Sequence, residues 1–179
     1  KQSGTSLPST IATASGLTLG KVGQLVSAYK QTPASFSSSS TNTFVDLTGL
    51  TLNITPTATS SKIYIIASAC VTQNTSATIH VRLLRDSTVI NDGDPQTNQL
   101  EGMNSIRYES GTPYGQALYN VTNNYLDSPN TTSQITYKLQ GTLGASYSGT
   151  YYLNKTASDS DADYSARNPS NLTAMEILA

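Results

Sequence analysis

Residues 43–71, TFVDLTGLTLNITPTATSSKIYIIASACV, decide the fold class. Val45 and Leu47 alternate with polar residues, Gly49 interrupts, and the alternation resumes one step out of phase at Leu50, Leu52 and Ile54. After a turn of Pro and Ser/Thr, Ile63, Ile65, Ala67, Ala69 and Val71 all fall on one parity. Side chains of a strand point alternately to its two faces, so this spacing makes one continuous apolar face. The segment reads as a pair of long antiparallel strands with one face buried, with a turn or bulge at Gly49. Nothing in it carries chemistry.

The same pattern extends in both directions. Strands are expected near 22–30, 43–47, 50–55, 62–72, 77–84, 88–91, 104–109, 116–126, 134–140, 150–154 and 171–178. Turn clusters separate them: Asn53–Pro56, Asn91–Pro95, Gly111–Pro113, Asp127–Asn130 and Asn168-Pro169. No stretch sustains a 3.6-residue apolar period. Many short strands between turn clusters argue for an all-β, antiparallel β-sandwich. Eight or more strands with some long excursions fit a jelly roll better than a seven-strand immunoglobulin-like sandwich. Residues 1–20 are Gly-, Ser- and Thr-rich without period, and read as an extended N-terminal arm, a docking or linker segment. Residues 21–179 are then the sandwich domain. In the final strand Leu172, Ala174 and Leu178 share one face and Met175 and Ile177 the other, which implies burial on both sides, in the sandwich or against another subunit. Ending there, the chain leaves no room for a further C-terminal domain. It opens on Lys1, as a processed or partial protein does, and shows no signal-peptide pattern.

Composition narrows the function. Charged residues make up 12% of the 179 and the net charge is −1, so binding nucleic acid by counterion release is not expected. More than a quarter of the residues are Ser or Thr; polarity comes from hydroxyls and amides rather than charge. No apolar run approaches the roughly 18 residues that span a bilayer, so membrane insertion is not expected either. The single cysteine, Cys70, lies in the Ile63–Val71 run and reads as a small buried residue, which excludes an internal disulfide.

Candidate sites are few. His80, the only histidine, lies with Arg82 on the polar face of its strand; without a second His or Cys it has no zinc set, and no nucleophile-elbow pattern accompanies it. It reads as a solvated or hydrogen-bonded strand residue. Asp159–Asp163 opens like a calcium loop, but Tyr164 stands where the sixth-position Gly belongs and Ser170 where the twelfth-position Glu belongs. A solvated acidic loop is the default there, and an irregular oxygen-ligand site the rival. Six Asn-x-Ser/Thr triplets, at Asn53, Asn74, Asn120, Asn130, Asn154 and Asn171, are no more than this composition produces by chance. Tyr147, Tyr151 and Tyr152 cluster near a Gly-rich loop, and Tyr108 and Tyr114 flank another. Flat rings with a hydroxyl handle suit sugar or protein contacts, so these five are the candidate ligand-binding residues. No catalytic residue, metal site or cofactor is expected, and paired carboxylates of the kind a polysaccharide depolymerase needs do not stand out.

From Gly20 onward the chain resembles a domain of tailed bacteriophages, especially marine and cyanobacterial ones, in virion structural or tail-fibre-like proteins. The matching stretches are GKVGQLVSAYK (20–30), FVDLTGLTLNITPTATSSKIYI (44–65), VRLLRDSTVI (81–90), YLDSPNTTSQITYKLQ (125–140), TASDSDAD (156–163) and LTAMEI (172–177). Each is simple turn-and-strand grammar; their ordered combination is what resembles the family. The resemblance implies a jelly-roll-like, often homotrimeric module displayed on a virion assembled in the host cytoplasm, and carries over no catalytic residue. With the arm, it implies a non-enzymatic fibre or surface-appendage protein joined to other virion proteins through residues 1–20. The alternatives are a carbohydrate-binding tip that recognises host surface glycans, and a capsid-decoration or head-fibre protein.

Overall fold

The computed structural model describes residues 21–38, 43–94, 99–100, 102–107, 117–144 and 148–178. These hold eleven strands: β1 (Lys21–Lys30), β2 (Ala34–Ser38), β3 (Val45–Ile54), β4 (Lys62–Gln73), β5 (Thr78–Arg85), β6 (Thr88–Ile90), β7 (Asn104–Arg107), β8 (Tyr119–Asp127), β9 (Ile135–Leu143), β10 (Gly149–Leu153) and β11 (Ser170–Leu178). Every pairing between them is antiparallel.

Strand register reduces the eleven to eight rows. β10 and β11 lie end to end along one edge of β4, with Leu153 opposite Val71 and Asn171 opposite Ser68. β1 and β2 run alongside them, β1 on β11 and β2 on β10. In the second sheet β6 and β7 share one edge of β5, Ile90 standing opposite Leu83 and Asn104 opposite Val81. Merging those three pairs leaves β1/β2, β10/β11, β4 and β8 in one sheet, and β3, β9, β5 and β6/β7 in the other. Counted along the chain, the row orders are 1-8-3-6 and 2-7-4-5. Every successive pair of rows crosses between the sheets except 4 and 5, which pair in the second sheet, and the topology is that of a jelly roll.

The core lies between the sheets. Ile63, Ile65, Ala67, Ala69 and Val71 of β4 are all buried, and they face Leu47, Leu50, Leu52 and Ile54 of β3 and Ile79, Val81 and Leu83 of β5. The single-parity faces of residues 43–71 are therefore real. Their pairing with one another is not: β3 pairs with β9 and β4 with β8, β10 and β11, in opposite sheets. An apolar parity says which face is buried but not which strand lies alongside, and the connection 55–61 is long enough to cross the roughly 10 Å between stacked sheets.

Gly49 lies within one strand rather than between two. The register jumps from Asp46 opposite Gln140 to Thr51 opposite Lys138, and Gly49 takes φ 90° in the bulge. That slip brings Leu47 and Leu50, which are on opposite parities, to the same buried side. β2 is a strand that periodicity misses, because ASFSS offers one large apolar residue; Phe36 secures it by stacking on Tyr151 at 5.2 Å between ring centroids. In β11 the inward positions are Leu172, Ala174 and a carboxylate, Glu176, while Met175 and Ile177 face out, half-buried.

Where β1 passes into β2 and β10 passes into the excursion 154–169, both rows lose their ladder at the same level. Asn154, fully buried with φ 64°, fills the gap. Its backbone N–H donates to the Cys70 carbonyl at 2.8 Å, its Nδ2 donates to the Lys30 carbonyl at 2.8 Å, and its Oδ1 accepts from the Ser170 hydroxyl. Buried backbone groups need such partners wherever the sheet cannot supply them.

Gly49→Ala is expected to lower stability by about 1–2 kcal/mol, since a Cβ at that positive φ is strained and would stand 3.0 Å from Lys30 Cδ. Urea unfolding with an unchanged slope measures it; a loss below 0.3 kcal/mol would mean that the bulge tolerates any residue.

Candidate functional site

The candidate tyrosines separate. Tyr108, Tyr114 and Tyr147 lie outside the described residues. Tyr151 and Tyr152 are neighbours on β10 and so point to opposite faces. Tyr151 is 1% exposed; its hydroxyl donates to the Gly141 carbonyl at 2.8 Å, and burial pushes its phenol pKa up. A Cβ on Gly141 would stand 3.2 Å from that ring, so the glycine makes room for it. Tyr151 is thus a core residue, with its ring and hydroxyl both engaged. Tyr152 is half-buried on the outer face, with Lys155 Nζ 5.1 Å from its ring centroid. Of the five, it alone is described with a surface that could meet a ligand.

The strand ends that flank the tyrosine loops do come together. Arg107 pairs with Thr78, Gly144 donates its N–H to the Thr78 carbonyl, Gly149 pairs with Ser38, and Tyr119 pairs with Val71 two residues before Gln73. Ser38, Gln73, Thr78, Arg107, Tyr119, Leu143 and Gly149 therefore all lie at one end of the sandwich. Lys21, paired with Leu178, marks the other end, along with the connections 55–61, 86–87 and 128–134.

That second end holds two buried carboxylates. Glu176 is fully buried and accepts from Gln24 Nε2 at 2.7 Å, Thr57 N–H at 2.6 Å and Thr57 Oγ1 at 2.8 Å. Burial opposes its charge, but these donors outweigh that and hold the carboxyl at about 2. Asp127, 4% exposed at the end of β8, accepts from Arg85 Nη1 at 2.8 and 3.0 Å and from Tyr137 Oη at 2.6 Å. Arg85 and Tyr137 belong to the other sheet, so Asp127 ties the two layers together. Burial, then the bond to Asp127, pushes the Tyr137 phenol up. Both carboxylates have their oxygens occupied by protein donors and serve the fold.

Glu176 was legible as an outlier, a carboxylate on the inward parity of LTAMEI. Its donors come from residues 24 and 57, which no local pattern links to it.

Cys70 is buried, its thiol donating to the Pro169 carbonyl at 3.4 Å and its pKa raised by burial. His80 Nδ1 lies 2.8 Å from Ser105 Oγ on the outer face of the second sheet, and burial lowers its pKa, so the ring is neutral at pH 7. In the acidic loop, Asp159 accepts from Arg167 Nε at 2.9 Å and from Lys155 Nζ at 3.4 Å, and the bond from Arg167 above all lowers its carboxyl pKa. The open depression beside it, about 460 Å³, is lined by Asp159, Ser160, Asp161, Ala162, Ser165 and Arg167. A carboxylate already paired with two cations is a poor start for a cation site, and no cluster of three His, Cys, Asp or Glu suited to a metal occurs among the described residues. A second depression, about 300 Å³, crosses the outer face of the first sheet between β4, β8 and β11, where Ser68, Thr122, Asn124 and Asn171 surround Ile66.

No protein-family model matches the chain, and no curated protein sequence matches it. Its likeness to solved structures is distant. The infectious bursal disease virus VP2 subviral particle aligns at 13% identity over 87% of this chain and 38% of that one, with a TM-score of 0.43. The T13 particle of the same virus aligns at 15% identity over 87% and 36%, TM-score 0.45, and its Gx strain at 15% over 99% and 42%, TM-score 0.40. This chain thus spans about two fifths of the length of those viral chains.

Glu176 sets an acid limit on stability. A carboxyl held below its ordinary value stabilises the fold above about pH 4.5, and that stabilisation drains away as pH falls toward 2. Glu176→Gln is expected to cost about 2 kcal/mol at pH 7, with the gap from the parent narrowing between pH 4.5 and 2 in urea midpoints. A gap that stays constant with pH would show that the carboxylate charge is not what the donors hold.

Proposed function

We propose that this chain is a non-enzymatic structural protein of a virion, a trimeric fibre or surface-appendage module of a tailed bacteriophage, joined to the particle through residues 1–20. The observation that carries this reading is the polarity of the sandwich. The arm leads into Lys21, at the end fixed by Asp127 and Glu176. Arg107, Gly144 and Gly149, the described residues nearest in sequence to Tyr108 and Tyr147, lie at the opposite end. A displayed module needs this division: a fixed end toward the particle and connecting segments, the usual carriers of recognition, toward the host.

The sequence supports the same reading. The ordered stretches that resemble phage virion proteins cover nearly the whole sandwich, and the surface is rich in hydroxyls and poor in charge. A glycan-binding role at the distal end fits the same architecture, with the tyrosine loops as the contact; decoration of the capsid differs only in where the arm docks.

An image reconstruction of intact particles is expected to show the domain in threefold-symmetric density, with the 55–61 connection toward the particle. On such particles an epitope inserted at Thr75 will bind its antibody, whereas one inserted at Asn130, at the same end of the sandwich as Lys21, will be shielded. Absence of the chain from purified particles overturns the proposal; equal access to both epitopes overturns the polarity.

A further inference from the structure

The two outer faces of the sandwich are chemically unlike. On the second sheet, Asp46, Gln140 and Arg82 stand side by side in register, and Asp46 also takes a hydrogen bond from Lys138 at 3.0 Å. That face is charged and polar. On the first sheet, Leu25 stands opposite Met175, Met175 opposite Tyr64, and Tyr64 opposite Leu126. All four point outward, so an apolar row crosses the whole sheet from one edge to the other. Val22 and Ile177 extend it on one side and Ile66 on the other. Val22 and Leu25 are each 59% exposed and Leu126 50%. Farther along the same face, the excursion 154–169 covers Cys70, which is 5% exposed, so the bare region is bounded.

We infer that this face of the first sheet is where copies of the chain meet, its occupant being a second copy of the same chain. This rests on the oligomeric part of the proposed function and adds the surface. Two features favour a second copy. The row contains no charged residue between its edges; Lys62 borders it and turns its Nζ to Ser128 Oγ at 2.9 Å. Around a threefold axis, such faces meet one another without stripping water from a charge. The size also fits. Four rows about 4.8 Å apart and about eight residues long make a face of roughly 19 by 27 Å. With side-chain relief, that approaches the ~800 Å² per partner of a standard interface. Singly scattered exposed apolar residues are normal on a monomer, whereas a contiguous apolar patch is often functional.

The test is the solution mass of the full chain by light scattering, for the parent, for Leu25→Lys with Leu126→Lys, and for Thr51→Lys on the polar face. The parent and T51K are expected at a multiple of 18.9 kDa. The double variant is expected at 18.9 kDa, or to dissociate at a concentration at least tenfold higher. Circular dichroism and thermal midpoints matching the parent's establish that the variants fold, and surface changes of this kind ordinarily leave both intact. A folded double variant that assembles like the parent overturns the assigned surface and leaves the oligomer standing. A monomeric parent overturns both, and leaves residues 1–20 or another virion protein to cover the face.

Discussion

One choice of parity governs the molecule. β4 is hydrogen-bonded along both edges, to β8 on one side and to β11 and then β10 on the other, so it cannot slide without breaking three pairings. A slip of one residue would turn Tyr64, Ile66 and Ser68 inward and expel the run Ile63–Val71 from the core. Each facing strand must bring its own apolar parity to meet that run. β3 does so only because of its bulge: Leu47 and Leu50 are an odd number of residues apart, and the extra residues around Gly49 restore them to one side. The phase break visible at residue 49 is therefore a requirement of packing against β4. It does not mark the end of a strand.

An apolar interior between two sheets leaves polar problems at its margins, and the chain meets them with a few dispersed side chains. At one end Asp127 of the first sheet receives donors from Arg85 and Tyr137 of the second, and Glu176 receives donors from residues 24 and 57. Either carboxylate would be costly if any partner were lost, because a buried charge left unpaired keeps its full desolvation penalty. Within the first sheet, Asn154 and Ser170 replace ladder bonds where two rows break together; the Cys70 N–H, for example, donates to Ser170 Oγ at 2.9 Å. Packing sets which faces meet, and these groups fix where the sheets begin and end.

That division explains what the sequence could disclose. Alternation is a local signal, and it located most strands and the buried faces of β3 and β4; Cys70, on the outward parity of β4, is buried by the excursion 154–169 instead. Partnership is not local. The pairing of β3 with β9 depends on residues 135–143, and the strand character of ASFSS depends on Tyr151, more than a hundred positions away. The same limit divides the candidate tyrosines. Tyr151 and Tyr152 look equivalent as a dipeptide, yet the pleat sends one to the core and the other outward. Asn154 looked like one chance Asn-x-Ser/Thr triplet among six; its positive φ and its partners are visible only once Lys30, Cys70 and Ser170 are beside it.

The chemistry of the surface follows from the same economy. With 12% charged residues, the chain commits several to bonds within itself: Glu176, Asp127 and Arg85 at the fixed end, and Asp159, Lys155 and Arg167 to one another in the surface loop. What is left for the outer faces is mainly Thr, Ser and Asn, and the outer face of the first sheet has no charge across its apolar row. Such a surface suits contact with other uncharged surfaces. Its low charge is also why the contrast between the two outer faces carries weight. The second sheet shows that this chain can place Asp46, Lys138 and Arg82 on an outer face that stays in water. Leaving Leu25, Met175, Tyr64 and Leu126 in the equivalent position on the first sheet would be a solubility liability for an isolated domain; it is what a face covered in the assembled molecule requires.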